Sequence, residues 1–292
     1  MKLNEEWRSR SKPTLSFEFF PARDEKAAGN LRKAIDQLVA LEPDFVSVTF
    51  GAGGTTRDTS HALVQLLKER RLEVLAYFAG YGLAPEQITG VLDAYAALGV
   101  QNVLVVRGDV PRDDPDFKPH PEGMAHASDL LTFIRPRYDF CLGCAGYPEG
   151  HVEASSRDQD WAHLKLKTDC GATFVIAQYF YDNRYYFDFV ERCRALGVQV
   201  PIVPGVMPIF NVKMMENLAR LCGATITAEV RRGVAALPEG DKEAVGAFGI
   251  DLATRQCAEL LRAGVPGIHI YTMDRAKSAL EIVKRLRADG LI

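Results

Sequence analysis

Apolar runs of strand length recur along this chain, and after most of them the apolar spacing changes from every second residue to every third or fourth. A switch from a period of 2 to one near 3.6 marks a strand followed by an amphipathic helix. The strand candidates span residues 14–20, 45–50, 73–79, 102–107, 140–146, 173–180, 200–206 and 267–272. Helix candidates between them include 31–41, 59–70, 85–98, 128–135, 158–170 and 186–196. Several close on a glycine suited to a left-handed cap, in Leu98-Gly99, Cys170-Gly171, Leu196-Gly197 and Ala263-Gly264. Strands that read as nearly continuous apolar runs, joined through helices, describe a parallel sheet. Eight of them predict a (β/α)8 TIM barrel. Residues 211–264 carry more than one helical pattern, so extra helices are expected between the seventh and eighth strands, and residues 1–292 read as a single barrel domain.

A doubly wound open sheet is the competing architecture, since strand-helix alternation fits both. Two features favour the barrel. No G-x-G-x-x-G follows the first strand, and polar residues recur at the C-terminal ends of strands along the whole chain. The cluster Gly51-Ala52-Gly53-Gly54 after the second strand reads more simply as a βα loop than as a phosphate cradle.

Length and composition fit this reading. A chain of 292 residues is within the usual size of one barrel, and 47% hydrophobic with 25% charged residues is ordinary for an ordered globular protein. A net charge of -3 offers no clustered basic surplus for nucleic acid, which turns attention to small molecules. Residues 1–13 are charged, unlike a signal peptide, and no window holds the roughly 18 apolar residues of a membrane span, so no membrane is expected and a cytoplasmic location is. The six cysteines are too sparse for a disulfide scaffold. Cys141 and Cys144 form a C-x-x-C, but with no second pair or histidine couple to complete a metal site, burial as free thiols is the plainer reading. His61, His120 and His269 lack metal-ligand spacing and read as structural or surface residues, so no metal is expected.

Active sites of such barrels lie at the C-terminal ends of the strands. Those ends carry Glu18, Thr49, Tyr77, Arg107-Gly108-Asp109, Tyr147, Gln178, and Tyr271 with Arg275 just beyond. The seventh strand ends in the rigid Pro204-Gly205-Val206-Met207-Pro208. Glu18 interrupts Leu15-Ser16-Phe17-Glu18-Phe19-Phe20, a run otherwise made for burial. A carboxyl poorly hydrated among aromatics holds its proton more tightly and suits a general acid; a core carboxylate satisfied by arginine or backbone amides is the alternative. Asp109 ends a very apolar strand and is either a rim aspartate or a helix or turn cap. Gln178 offers a donor and an acceptor to a heterocycle, or serves the core. His151 and Lys167 are either site residues or solvated, and the tyrosines at 179, 181, 185 and 186 read as packing more readily than as a ligand stack.

Taken together, Ser16-Phe17-Glu18-Phe19-Phe20-Pro21, Phe45-Val46-Ser47-Val48-Thr49-Phe50-Gly51, Arg107-Gly108-Asp109, Ala145-Gly146-Tyr147-Pro148-Glu149-Gly150-His151, Gln178-Tyr179-Phe180, Pro204-Gly205-Val206-Met207-Pro208 and His269-Ile270-Tyr271-Thr272 resemble the methylenetetrahydrofolate reductase family in order and spacing over almost the whole chain. The resemblance implies a barrel that holds FAD at its rim without a Rossmann motif and takes electrons from NADH or NADPH. It implies hydride delivery to a folate-bound one-carbon unit, making 5-methyltetrahydrofolate from 5,10-methylenetetrahydrofolate, and a homo-oligomer is compatible with it. By the same resemblance Glu18 is the general acid, Asp109 tunes the flavin and contacts the pterin, Gln178 holds the folate, and Arg275 contacts folate or nicotinamide. FAD contacts fall to Thr49, Arg107, Gly108, Asp109, Ala127, Tyr147, His151, Asp160 and Lys167. The chain departs from the family pattern at Tyr77-Phe78-Ala79, where His-Leu-Thr is usual, and at His126 and Leu218, where tyrosine and phenylalanine are usual. A proline dehydrogenase-like flavin barrel and a flavin-free folate-binding relative are the competing readings.

Overall fold

The computed structural model of the chain describes residues 1–51, 57–110 and 116–292. Its strands are β1 (Thr14–Phe19), β2 (Phe45–Val48), β3 (Val74–Ala79), β4 (Asn102–Val106), β5 (Cys141–Gly146), β6 (Phe174–Ala177), β7 (Ile202–Val203), β8 (Gly205–Val206) and β9 (Gly267–Tyr271), all paired in parallel in the order β7-β6-β5-β4-β3-β2-β1-β9-β8. The two ends of that order are one stretch of chain. Pro204 has no N–H to give a neighbour, so the expected seventh strand pairs with β6 before the proline and with β9 after it. The Pro204 carbonyl still accepts from His269 N at 3.0 Å. The ring closes, and the fold is the expected (β/α)8 barrel.

Helices α1 (Leu3–Ser9), α2 (Glu25–Val39), α3 (Arg57–Glu69), α4 (Pro85–Ala97), α5 (Ala127–Ile134), α6 (Arg157–Asp169), α7 (Asn183–Ala195), α8 (Val212–Cys222), α9 (Ala228–Ala235), α10 (Lys242–Arg262) and α11 (Ala276–Ala288) surround it. The extra helices expected between the last two barrel strands are α8 and α9, ahead of the long α10. The four predicted capping glycines, Gly99, Gly171, Gly197 and Gly264, all have positive φ. Helix α2 starts earlier than its apolar pattern indicates, because the Asp24 side chain accepts from Ala27 N at 2.8 Å and caps a polar first turn.

Strand β1 shows how both faces of the wall are buried. Leu15, Phe17 and Phe19 point outward into the shell formed with Leu31, Ile35 and Leu38 of α2 and Ile282, Val283 and Leu286 of α11. Each such side chain contributes about 1.5–3 kcal/mol when fully buried. The alternate residues Thr14, Ser16 and Glu18 are equally buried but face the lumen.

The lumen's base is apolar. Leu3, Phe45, Leu75, Leu104, Cys141, Phe174, Ile176 and Val203 fill it, with Trp7 packed alongside. Helix α1 was not anticipated, because residues 1–13 read only as charged. Leu3 and Trp7, four apart, share its inner face and plug the barrel. Asn102 ties the plug down, accepting from Leu3 N at 2.9 Å and donating to Met1 O at 2.8 Å, while Trp7 Nε1 donates to Thr14 Oγ1 at 3.0 Å.

Cys141 and Cys144 lie three apart on β5 and so face opposite sides of the wall, Cys141 into the lumen and Cys144 into the helical shell. Both are free, and burial raises both thiols above their ordinary range. Among the described residues there is no His, Cys, Asp and Glu cluster fit for a metal, and no helix is long and apolar enough to cross a membrane. Residues 52–54 of the glycine cluster lie outside the described residues.

Candidate functional site

The strands end at a mouth enclosing a cavity of about 400 Å³. Glu18, Thr49, Tyr77, Arg107, Gly108, Asp109, Tyr147, His151, Gln178 and Tyr271 all line it, so the residues singled out at seven strand ends converge on one space. A second cavity of about 390 Å³ shares Val106, Arg107, Ala145, Tyr147 and His151 with the first and runs outward past Ala127, Asp160 and Lys167. The two form one elongated cleft over the ends of β4 and β5. Arg275 is not brought to it. That residue is exposed at the start of α11, its guanidinium 5.5 Å from the Phe210 ring centroid, in a separate depression with Lys213, Lys242 and Lys277.

Glu18 is 3% exposed at the floor of the mouth. Ser47 Oγ donates to its Oε2 at 3.3 Å, and His269 Nε2 lies 3.7 Å from the same oxygen. A chain of contacts continues downward: Ser47 Oγ to His269 Nε2 at 3.3 Å, and His269 Nδ1 to Ser16 Oγ at 2.8 Å. His269 is fully buried, stacked parallel to Phe45 with centroids 5.9 Å apart, so it is a lumen residue and not a surface one. Of the two roles expected for His269 the structural one holds, and its partners Ser16 and Ser47 carry no individual signal in the sequence. Their shared signal is the period of 2, which places them on the same inward face as Glu18 on their strands.

Neutral phenols ring the acid. Tyr271 and Tyr77 are raised well above the ordinary tyrosine range, first by burial and then by the nearby Glu18 charge. Tyr147 is raised by burial, with Asp160 and Asp109 adding to it. Tyr271 Oη donates to Ala177 O at 3.0 Å, which requires close approach to Gly205, where a Cβ would stand 2.4 Å from the Tyr271 ring. The buried Tyr179 hydroxyl has no hydrogen-bond partner among the described residues and lies beside the Cys222 thiol.

The cleft's second half is set by α6 and the loop before it. Lys167 Nζ donates to Ala145 O at 2.6 Å. Burial raises the Asp160 carboxyl, opposed by the Lys167 charge and a hydrogen bond from the His151 backbone. The Tyr147 and His151 rings meet edge to face at 4.7 Å. Arg107 pairs with Glu153 at 2.7 Å, which raises the guanidinium and lowers the exposed carboxylate. Gly108 has φ +89°, and a Cβ there would meet Ala79 Cβ at 2.9 Å, so only glycine fits this bend without strain.

Past β9 the chain turns through two left-handed residues, Met273 (φ 49°) and Asp274 (φ 56°). Asp274 Oδ1 accepts from Phe20 N at 3.1 Å, clamping the ends of β1 and β9. Burial pushes this carboxyl up to about 6, against the Phe20 hydrogen bond and helped by the Glu18 charge. A raised native value means stability is present below the ordinary aspartate range and lost as pH rises to about 6. Asp274→Asn, which keeps the acceptor oxygen, should therefore stabilise the protein more at about pH 8 than at about pH 4. Urea unfolding at the two pH values checks this, and an equal effect at both would refute it.

The structure is a closed parallel (β/α)8 barrel with a buried acid at its mouth and a cleft leading outward, a concave site of the size that takes a small molecule. The methylenetetrahydrofolate reductase family profile matches residues 2–287. The chain is 37% identical over 289 residues to methylenetetrahydrofolate reductase (NADH) 1 of Arabidopsis thaliana, covering 95% of this chain and 48% of that protein. It is 34% identical over 273 residues to 5,10-methylenetetrahydrofolate reductase of Escherichia coli K12, covering 93% and 90%. The chain thus spans about half the length of the plant relatives and most of the bacterial one. It belongs to the methylenetetrahydrofolate reductase family. Among solved structures, an uncharacterized protein from Clostridium thermocellum that binds two copies of 5-methyl-5,6,7,8-tetrahydrofolic acid shares the fold at a TM-score of 0.68 and 17% identity, over 100% of this chain and 99% of that one.

Proposed function

We propose that the chain reduces 5,10-methylenetetrahydrofolate to 5-methyltetrahydrofolate with electrons from NADH or NADPH, the two substrates visiting a bound FAD in turn. The observation that carries this reading is the convergence of Glu18, Asp109 and Gln178 on one cavity. Family membership and the relatives' names support the reaction, and the plant relatives' names specify NADH.

The residues present fit a flavin dinucleotide. The two adjoining cavities leave one space at the mouth for a planar ring and another outward beside Lys167, His126 and His163, whose N–H groups suit phosphate oxygens. Thr49, Arg107, Gly108, Asp109, Ala127, Tyr147, His151, Asp160 and Lys167 are the proposed contacts. Bound there, FAD supplies the hydride acceptor for the nicotinamide and the hydride donor for the folate.

The protein's part is proton placement and orientation. Glu18 holds a proton at the cavity floor and gives it to the substrate nitrogen that leaves as the imidazolidine ring opens, so the one-carbon unit becomes an iminium ready for hydride. Gln178 Oε1 accepts from Tyr179 N at 3.0 Å, which leaves its amide nitrogen as the donor to the pterin. Asp109, at the rim, contacts the pterin and places negative charge beside the flavin site. The neutral tyrosines exclude water around Glu18 without adding charge. Arg275 would reach folate or nicotinamide outside the mouth cavity.

The purified protein should show flavin absorption bands, or gain them on titration with FAD, and should then oxidise NADH or NADPH and reduce methylenetetrahydrofolate. Replacement of the usual His-Leu-Thr by Tyr77-Phe78-Ala79 removes polar contacts worth about 1 kcal/mol each, so affinity would fall without binding being lost. Absence of flavin bands before and after FAD addition overturns the FAD assignment. Folate binding without turnover would mark a flavin-free binder, and turnover of proline in place of folate a different flavin barrel.

A further inference from the structure

We propose that the basic depression beside the barrel mouth is a subsite for an oligocarboxylate tail: it takes the γ-glutamyl carboxylates that extend from the folate, and it holds a tail of several glutamates more tightly than a single one. The proposal rests on the reading of the chain as a folate reductase and names the form of substrate that the site favours.

The depression lies at the starts of α8, α10 and α11, with a volume of about 990 Å³ against about 400 Å³ for the mouth cavity. Two stretches of chain lead from one to the other. Met207 lines the mouth and Phe210 the depression, and likewise Met273 lines the mouth and Arg275 the depression. Two residues of extended chain reach about 7 Å at most, so the Arg275 backbone stands within that distance of the mouth lining. A folate whose pterin meets Gln178 inside the mouth sends its other end outward. That end is a glutamate with two carboxylates, and each further γ-linked glutamate adds one more.

The walls of the depression suit such a chain. Lys213, Lys242, Arg275 and Lys277 line it together with a single carboxylate, Glu243. None of the three lysines is in an ion pair among the described residues, and the Arg275 guanidinium rests on the Phe210 ring without an acid partner. The backbone adds to the charge. Helices α8 and α10 are already capped, by the side chains of Asn211 and Asp241. Helix α11 follows Arg275, which offers no acceptor, so its first N–H groups remain open to an anion. Ser278, in that first turn, is 8% exposed, lines the depression and has no hydrogen-bond partner for its hydroxyl among the described residues. A carboxylate lying along the turn would accept from both the hydroxyl and the backbone. Cations spread over three helix starts fit a string of carboxylates better than one point anion.

Two measurements test this. With the holoenzyme, kcat/KM for methylenetetrahydrofolate is compared between the monoglutamate and the triglutamate, in the wild type and in the double variant Lys213→Gln/Lys277→Gln, at low and at raised salt. The ratio of the two values reads the depression alone, because a fault in folding or chemistry lowers both alike. It should be about tenfold in the wild type at low salt, carried by KM, and should fall toward one in the variant and on adding salt. Lys213→Arg/Lys277→Arg, which keeps the charge, should restore it. A wild-type ratio near one overturns the proposal, as does the same ratio in the glutamine variant. A variant that raises KM for NADPH and leaves the tail ratio intact assigns the depression to nucleotide phosphates, which overturns it as well. In the second measurement tri-γ-glutamate alone is titrated into the protein and followed by calorimetry. Binding by the wild type and not by the glutamine variant is expected, and no binding at millimolar peptide overturns the proposal. A protein that binds the peptide but reduces no folate would instead overturn the reductase reading and leave the oligocarboxylate site standing.

Discussion

Glu18→Gln is expected to abolish folate reduction, by about 10²–10⁴-fold, while reduced nicotinamide still bleaches the bound flavin at close to the wild-type rate. The two half-reactions separate because only one needs a proton from the protein. Opening the imidazolidine ring leaves electron density on a nitrogen that must be protonated, whereas transfer from nicotinamide ends on the flavin without calling on Glu18. Glutamine matches the size of glutamate and can accept from Ser47 Oγ as Oε2 does at 3.3 Å, so the floor should keep its shape. Stopped-flow measurement of each half-reaction checks this. Equal loss in both would assign Glu18 to flavin binding or to folding, and retention of folate reduction would remove it from the chemistry.

The barrel was legible because its evidence is local and repeated. Strand-length apolar runs, most followed by a helix and several of those helices closing on a glycine such as Gly99 or Gly264, state the crossover unit again and again, and small errors at element ends do not alter the count. The break at Pro204 was harder to foresee. A proline inside a strand signals a lost hydrogen bond, but that the chain would use it to hand pairing from β6 to β9 depends on the closure of the whole ring.

The site was legible by position more than by partnership. Glu18, Asp109 and Gln178 could be named because strand ends of a barrel must meet at its mouth. The Ser16, His269 and Ser47 chain beneath Glu18 joins residues up to 253 positions apart, and no short-range pattern pairs them. Helix α1 was missed for a related reason. Its apolar stripe is only Leu3 and Trp7, too short for periodicity to register, and its stability comes from the hole it fills.

That filling sets the second large expectation: Phe174→Ala should destabilise the protein by about 3–5 kcal/mol. The ring is fully buried in the base of the lumen, its centroid 5.2 Å from Trp7, among side chains from other strands. A closed wall of hydrogen-bonded strands cannot contract around the void, so the cost should fall at the upper end of what core truncations show. Gly143 supplies the discriminating control. A Cβ there would stand 2.3 Å from the Phe174 ring, so Gly143→Val alone should overpack the base and cost about 1–3 kcal/mol. In the Phe174→Ala background the same valine grows into vacated space and should recover stability. Urea unfolding of the two single variants and the double variant gives the coupling, and additive losses would show that the two positions do not share one cavity.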